Sequence, residues 1–347
     1  MNRTLPAEWY PQSGVMLTWP HKKTDFASEL SRVEVVFCML ASIISQYEQV
    51  IICSSDEQHS LHIQHLLTQA NCMLENVSLY EVNSDDSWAR DHGPLTIIDN
   101  NQATLLDFKF NGWGNKYPHQ QDDSINAALA SQGAFKAALK SLGLILEGGS
   151  IDSNGKGTLL TTSPCLLSVS RNPTLSKSEI ESQLKDVLGI TTIHWLDYGL
   201  LIGDDTDNHI DMLARFVNTD TICHMVCDNN EDPHALWMRQ LKNELQALRQ
   251  TNGEPYNLVE LPFPRAIYND DGERLPASYC NFLIINKAVL LPIYDCPQDE
   301  QAIKVISDCF PDRVVFPIDC RSLIEQHGSL HCITMQLPIG ALPDKHC

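Results

Sequence analysis

The sequence predicts an α/β protein assembled from one supersecondary unit repeated five times. Three observations predict it. Hydrophobic periodicity of strand, helix and strand type recurs in that order along the whole chain. The helix starts at 56, 124, 178, 232 and 299 lie 68, 54, 54 and 67 residues apart, the spacing of a repeated unit. A polar segment holding the chain's unusual residues follows the last strand of every unit. No Pro/Gly/Ser-rich linker interrupts the order, so residues 1–347 read as a single domain. Around a pseudo-fivefold axis, five polar segments would converge on one central site. A plain doubly wound sheet with ordinary loops is the alternative.

The elements follow in order. The first unit has a strand at 49–53, a helix at 56–70 with Leu61, Leu66 and Leu67 as its apolar positions, and a strand at 77–82. The second reads 103–110, a helix near 124–141, then 144–146; the third reads 166–170, 178–188 and 191–196. The fourth reads 221–226, 232–249 and 258–261, and the fifth 289–294, 299–310 and 314–316. Asp56, Ser178 and Asp299 are the expected N-caps, since a short polar side chain can accept from the free N–H groups of the first turn.

Composition narrows the function classes. Of the 347 residues 43% are hydrophobic and 20% charged, as in an ordinary soluble chain. The 44 acidic residues against 24 basic ones leave a formal net charge of −20, a field that repels nucleic acid and anionic membrane and attracts cationic small molecules. Solubility alone also accounts for it. The start lacks the basic-then-apolar order of a signal peptide, and the most apolar stretch, 33–44, is short and contains Glu34, so the expected location is the cytoplasm. The 12 cysteines form no C-x-x-C pair, and most are expected to be reduced core residues.

The polar segments hold the candidate residues. Asp91 lies in WARDHGP, with Trp88 three residues earlier; a carboxylate beside an aromatic face suits a planar cation, and pairing of Asp91 with a neighbouring Arg is the simpler alternative. Glu147 opens EGGS, whose two glycines permit close approach to the backbone. In DDTDNHIDML, an extended run would place His209 and Asp211 on one face. Metal patterns fail: His209 and Ile210 occupy positions where a calcium loop needs Asp or Asn and then Gly, and H-E-x-x-H is absent. Asn281 fits a turn as well as a site, and the spacing around Cys332 fits a core thiol equally well.

Taken in order, EWYPQSGVMLTWP at 8–20, WARDHGP at 88–94, FNGWGNKYP at 110–118, EGGSID at 147–152, TDNHID at 206–211 and HCITMQLP around 332 resemble the agmatine deiminase family, which is grouped with bacterial peptidylarginine deiminases. The resemblance implies a five-bladed α/β propeller of ββαβ-type units. It implies Cys332 as nucleophile, His209 as acid/base, Asp91 and Asp211 as guanidinium-binding carboxylates and Glu147 as the acidic residue near the histidine. Trp88 and Asn281 match lining positions. The family's Gly-Gly-Gly-Asn-Ile-His-Cys is here Gln326-His327-Gly328-Ser329-Leu330-His331-Cys332, and Asn208 and Asn115 stand where Gly is usual.

The activity so implied is hydrolysis of agmatine to N-carbamoylputrescine and ammonia through a Cys332 thiouronium, with no cofactor and no metal. Asp204, Asp205 and Asp207 would suit the substrate's second positive charge, with Asp207 taken as a binding residue. Deimination of peptidyl-arginine is the alternative activity. A non-catalytic polyamine binder and a metal-dependent hydrolase are the readings from other classes. Nothing in the residues fixes the assembly; a homodimer is the working expectation.

Overall fold

A computed structural model of the protein describes residues 3–344. Their strands form five separate sheets. In one, Gln12–Thr18, Gln49–Ser54 and Val77–Glu81 run parallel, and Thr334–Pro338 pairs antiparallel with Gln12–Thr18. The C-terminal strand therefore lies beside an N-terminal one, closing the chain on itself.

The other four sheets share one plan, an antiparallel hairpin followed by a helical crossover into a parallel strand. Leu95–Asp99 and Gln102–Lys109 lead to Ala138–Ile145, with Arg3–Thr4 at the edge. Ile151–Ser153 and Thr158–Thr162 lead to Thr192–Leu196. Ala214–Asn218 and Thr221–Val226 lead to Asn257–Pro262, and Leu283–Ile285 and Ala288–Ile293 lead to Val314–Asp319. The crossover helices bury one stripe. Lys177–Leu188 buries Ile180, Leu184 and Leu188, four residues apart each time, starts on a Ser176/Glu179 capping box and stops at Gly189 with φ 68°.

Five sequence expectations change. The third unit's first strand is Thr158–Thr162, not 166–170; Ser163–Leu166 is a helical turn, which Pro164 favours because it cannot donate to a sheet ladder. The helix of the second unit ends at Ser131, Gly133 takes φ 74°, and residues 138–145 pair with 104–109 instead of extending the helix. Ser176 rather than Ser178 caps its helix, and Asp299 is the first helical residue, its carboxylate accepting from the backbone N–H groups of Tyr294 and Cys296. The run after His209 is not extended, since Ile210–Met212 is a 3-10 turn.

Two large apolar clusters fill the interior, one around Trp19, Phe37, Phe216 and Phe282, the other around Leu105, Leu129, Leu184 and Met335. Nine of the eleven described cysteines are buried, and none of the eleven is in a disulfide, as small core residues would be. No described helix is long and apolar enough to cross a membrane.

Candidate active site

The five polar segments meet. Gly149 N–H donates to Asp91 Oδ1 at 2.9 Å, His209 Nδ1 lies 3.6 Å from the same oxygen, Asn281 Nδ2 donates to Asp211 Oδ2 at 3.2 Å, and the Cys332 thiol faces Asn281 Oδ1 at 3.5 Å. Each segment so contributes at least one group, a backbone N–H from the second and a side chain from each of the others, to the contacts around Asp91, Asp211 and Cys332. Glycine at 149 is a requirement of this packing: a Cβ there would sit 2.6 Å from His209 Nδ1, 2.9 Å from Asp91 Oδ1 and 3.1 Å from Asp211 Oδ2.

Asp91 is buried in the short helix Ala89–His92. It does not pair with Arg90; its Oδ2 accepts from Trp113 Nε1 at 2.9 Å, while Arg90 turns toward Glu8, Gln336 and the His331 carbonyl. Asp211 is fully buried, and its two oxygens differ. Oδ2 meets His331 Nδ1 at 2.7 Å and the Asn281 amide, whereas Oδ1 has no hydrogen-bond partner. A buried carboxylate oxygen without a partner is costly, which makes Oδ1 a candidate acceptor for a ligand's donor group.

Behind Asp211 lies a charged network that the sequence reading missed. His331 Nε2 meets Glu8 Oε2 at 2.7 Å; Arg215 donates to Glu8 at 2.9 Å and to Asp152 at 2.9 Å. The sequence signal was present in EWYPQSG and EGGSID, whose Glu8 and Asp152 are these carboxylates. Burial opposes the charge on Glu8, but Arg215, His331 and Arg90 hold it well below the usual carboxylate range.

Glu147 has no exposed surface. Arg171 Nε donates to its Oε1 at 2.8 Å and Oε2 at 3.0 Å, and the Cys165 thiol approaches Oε2 at 3.9 Å. The nearest donor atoms of Glu147, Cys165 and His209 lie within 4.8 Å of one another, the spacing a metal ion would need. Arg171 sets a fixed positive charge against any dication there, so the group is an ion-pair network rather than a ligand set.

A cavity of about 260 Å³ opens onto Cys332 and Asp91, walled by Trp88, Trp113, Tyr117 and Gly328, with Asp25, Asp205 and His327 toward its mouth. Trp88 is held by a 3.0 Å bond from Nε1 to Asp86, and a Cβ on Gly328 would lie 2.1 Å from its ring. Of the acidic triplet, only Asp205 lines this space. Asp204 is spent on the loop's own N–H groups, and Asp207, expected as a binding residue, pairs with Arg171 at 2.5 Å and Lys116 at 2.8 Å. Asn115, Asn208 and His327 all have positive φ, 64°, 70° and 66°, which explains why glycine suits these positions; the Nδ1 of His327 bonds the Gly203 carbonyl at 2.9 Å.

The electrostatics of the ligand-free site are one-sided. Burial raises the Cys332 thiol well above its usual range, and the Asp211 and Asp91 charges raise it further. Burial raises Asp91 too, reinforced by Asp211 and Glu147 although His209 opposes it. Burial disfavours a charged His209, but Asp91, Cys165 and Glu147 outweigh burial and hold the ring well above its ordinary value. The site therefore favours the charged form of the imidazole and the neutral form of the thiol beside several carboxylates; Asp91 and Cys332 line the cavity itself, while His209, Asp211, Glu147 and Asn281 lie behind its wall.

The family model of the Porphyromonas-type peptidyl-arginine deiminases matches residues 4–338. The agmatine deiminase of Stutzerimonas stutzeri is 32% identical over 356 residues, covering 96% of this chain and 95% of the relative; that of Pseudomonas aeruginosa is 32% identical over 359 residues, covering 96% and 95%. Among solved structures, a cysteine-to-serine variant of C. jejuni agmatine deiminase with substrate bound superposes with a TM-score of 0.89 at 35% identity, covering 96% of each chain. The agmatine deiminase of Enterococcus faecalis gives 0.88 at 27% identity, covering 97% of this chain and 96% of that one.

Proposed function

Because the chain belongs to the Porphyromonas-type peptidyl-arginine deiminase family, we propose that it hydrolyses the guanidinium group of agmatine, giving N-carbamoylputrescine and ammonia. The observation that carries this reading is a cavity onto which both Asp91 and the Cys332 thiol open, with the unpartnered, buried Asp211 Oδ1 belonging to a carboxylate close enough to Asp91 to raise it. A guanidinium is permanently charged and planar, and two carboxylates can each accept a pair of its N–H groups. Each Asp91 oxygen accepts one internal bond and keeps a lone pair; Asp211 supplies a free oxygen.

Binding the cation solves the thiol's difficulty. Burial, and after it the charges of Asp211 and Asp91, favour the neutral Cys332 thiol in the free protein; a guanidinium between the two carboxylates cancels their charge and adds a cation beside the sulfur, so the thiol loses its proton to solvent and becomes the nucleophile. The thiolate attacks the guanidinium carbon. His209, charged at the outset, gives its proton to the departing nitrogen, and ammonia leaves a thiouronium on Cys332. The neutral ring then takes a proton from water, whose oxygen adds to the same carbon; collapse expels the thiolate, which takes up the remaining hydroxyl proton as the carbonyl forms, and leaves a urea. Glu147 stands near His209 to support its charged form.

The far ammonium of agmatine would reach the mouth, where Asp25 and Asp205 face the cavity, Tyr117 holds Asp205 through a 2.7 Å bond, and two tryptophans flank the methylene chain. The carboxylate of free arginine would meet the same two acids. In this reading the five sheets are blades about a pseudo-fivefold axis in one catalytic domain, supported by the contribution each polar segment makes to the site. The product is a step toward putrescine in the cytoplasm.

Ammonia release from agmatine, arginine and an arginyl peptide, measured side by side, tests the substrate; preference for the peptide would overturn it. Cys332→Ala should abolish turnover, and mass spectrometry of the wild-type protein acid-quenched during agmatine turnover should show an adduct on Cys332. Turnover by the alanine variant would overturn the assignment of the nucleophile.

A further inference from the structure

Arg171 follows the third unit's helical turn, and its side chain has no exposed surface. All three of its nitrogens are engaged. Besides the two bonds from Nε to Glu147, Nη1 donates to Asp207 Oδ2 at 2.5 Å and Nη2 to the Thr206 carbonyl at 2.9 Å. Thr206 and Asp207 lie immediately before Asn208 and His209, in a stretch where Asp207 and Asn208 take φ of 68° and 70°. One guanidinium thus ties the carboxylate beside the imidazole to the backbone that delivers the imidazole.

His209 Nε2 is buried without a hydrogen-bond partner, while both oxygens of nearby Glu147 are turned to Arg171. We propose that Arg171 is a positioning residue for deimination: it sets the 206–209 segment and Glu147 in register, and its fixed charge limits how strongly Glu147 retains the proton on His209. The proposal rests on His209 as the acid/base. That role requires the ring to release its proton once, then take one from water. An unshielded Glu147 would hold the ring in its charged form and stall the second step. Lysine is not an equivalent, because a point ammonium cannot send bonds in three fixed directions.

The test is agmatine turnover by the full chain as wild type, Arg171→Met and Arg171→Lys between pH 5.5 and 10, with thermal unfolding of each. The other groups facing His209, namely Asp91, Asp204, Asp211, Glu147 and Cys165, are unchanged throughout. Arg171→Met should lose about 100-fold in kcat with KM changed less than about threefold, the cost of misplacing a reacting group by ~1 Å. Its kcat limb that requires neutral His209 should move up by about one pH unit, since a nearby cation has gone. Arg171→Lys should return the limb toward wild type while kcat stays low. An unmoved limb, or unchanged kcat, overturns the proposal. If Arg171→Met does not fold, the lysine variant decides: wild-type kcat overturns the proposal, and a low kcat with a near-wild-type limb supports it. An NMR titration of the His209 ring reads the same shift without substrate. Failure of the agmatine assignment is thereby distinguished from failure of this one.

Discussion

Replacing Asp211 by Asn should move two measurements in opposite directions. The change is nearly isosteric: an amide oxygen can still accept from His331 and Asn281, while the group at Oδ1 becomes a donor without charge. Removing one partner of a buried ion pair costs about 3–5 kcal/mol, so kcat/KM for agmatine should fall roughly 200- to 5,000-fold. The free thiol should respond the other way. The Asn281 amide separates Cys332 from Asp211, with contacts of 3.5 Å on one side and 3.2 Å on the other. Taking the charge separation as about 7 Å at an effective dielectric of ~20 gives ~2.4 kcal/mol in favour of the thiolate when the charge is removed. At neutral pH that is ~50-fold more thiolate. The assay is iodoacetamide alkylation at pH 7 with peptide mapping to follow Cys332, beside steady-state ammonia release. A fall in kcat/KM of less than tenfold, or alkylation that slows, would refute the argument that Asp211 both receives the cation and restrains the thiol.

Three further outcomes follow from the same geometry. Asp205→Asn should raise the agmatine KM by about tenfold through loss of a charge at the mouth, whereas Asp207→Asn should leave KM unchanged because Lys116 and Arg171 already neutralise that group; kinetics of both variants decide this. Gly328→Ala should displace the Trp88 indole, raising KM by roughly an order of magnitude and altering the near-UV circular dichroism, since the added carbon meets the ring at 2.1 Å. Burial raises Asp122 to about 8, with Asp86 and Asp85 adding to it, and raises Asp86 to about 7, with Asp25 adding to it. Both folded values exceed the unfolded value of about 4, so their contribution to stability is complete below about pH 4 and is lost as the pH rises toward 8. The decline in Tm from pH 5 to 9 should be shallower in Asp122→Asn.

Periodicity made most of the architecture legible, because a buried strand and an amphipathic helix impose different spacings on apolar residues. All five crossover helices stand where that spacing placed them, the second much shorter than expected and the others within a few residues at each end. The misses arose where local pattern was outweighed. The 124–141 stretch contains enough alanine and leucine to read as one helix, but the helix stops at Ser131 and strand pairing with 104–109 claims residues 138–141. At 166–170 the apolar run was real and the strand was eight residues earlier, beyond a proline turn.

By itself the sequence determined the repeated α/β plan, the acidic field and, through six ordered motifs, the family, and it nominated the residues at 91, 147, 209, 211, 281 and 332 as candidates for the site. Spacing alone could not separate Cys332 from ten other described cysteines, because a core thiol and a nucleophile obey the same local rules. Tertiary structure decided what depends on which groups become neighbours: that Asp207 is consumed by Arg171 and Lys116 while Asp205 faces the cavity, that Asp211 keeps one oxygen free, and that Glu8, Arg215 and His331 hold the other in place. These are electrostatic outcomes between residues tens to hundreds of positions apart. Burial sets their strength, and burial exists only after the chain has folded.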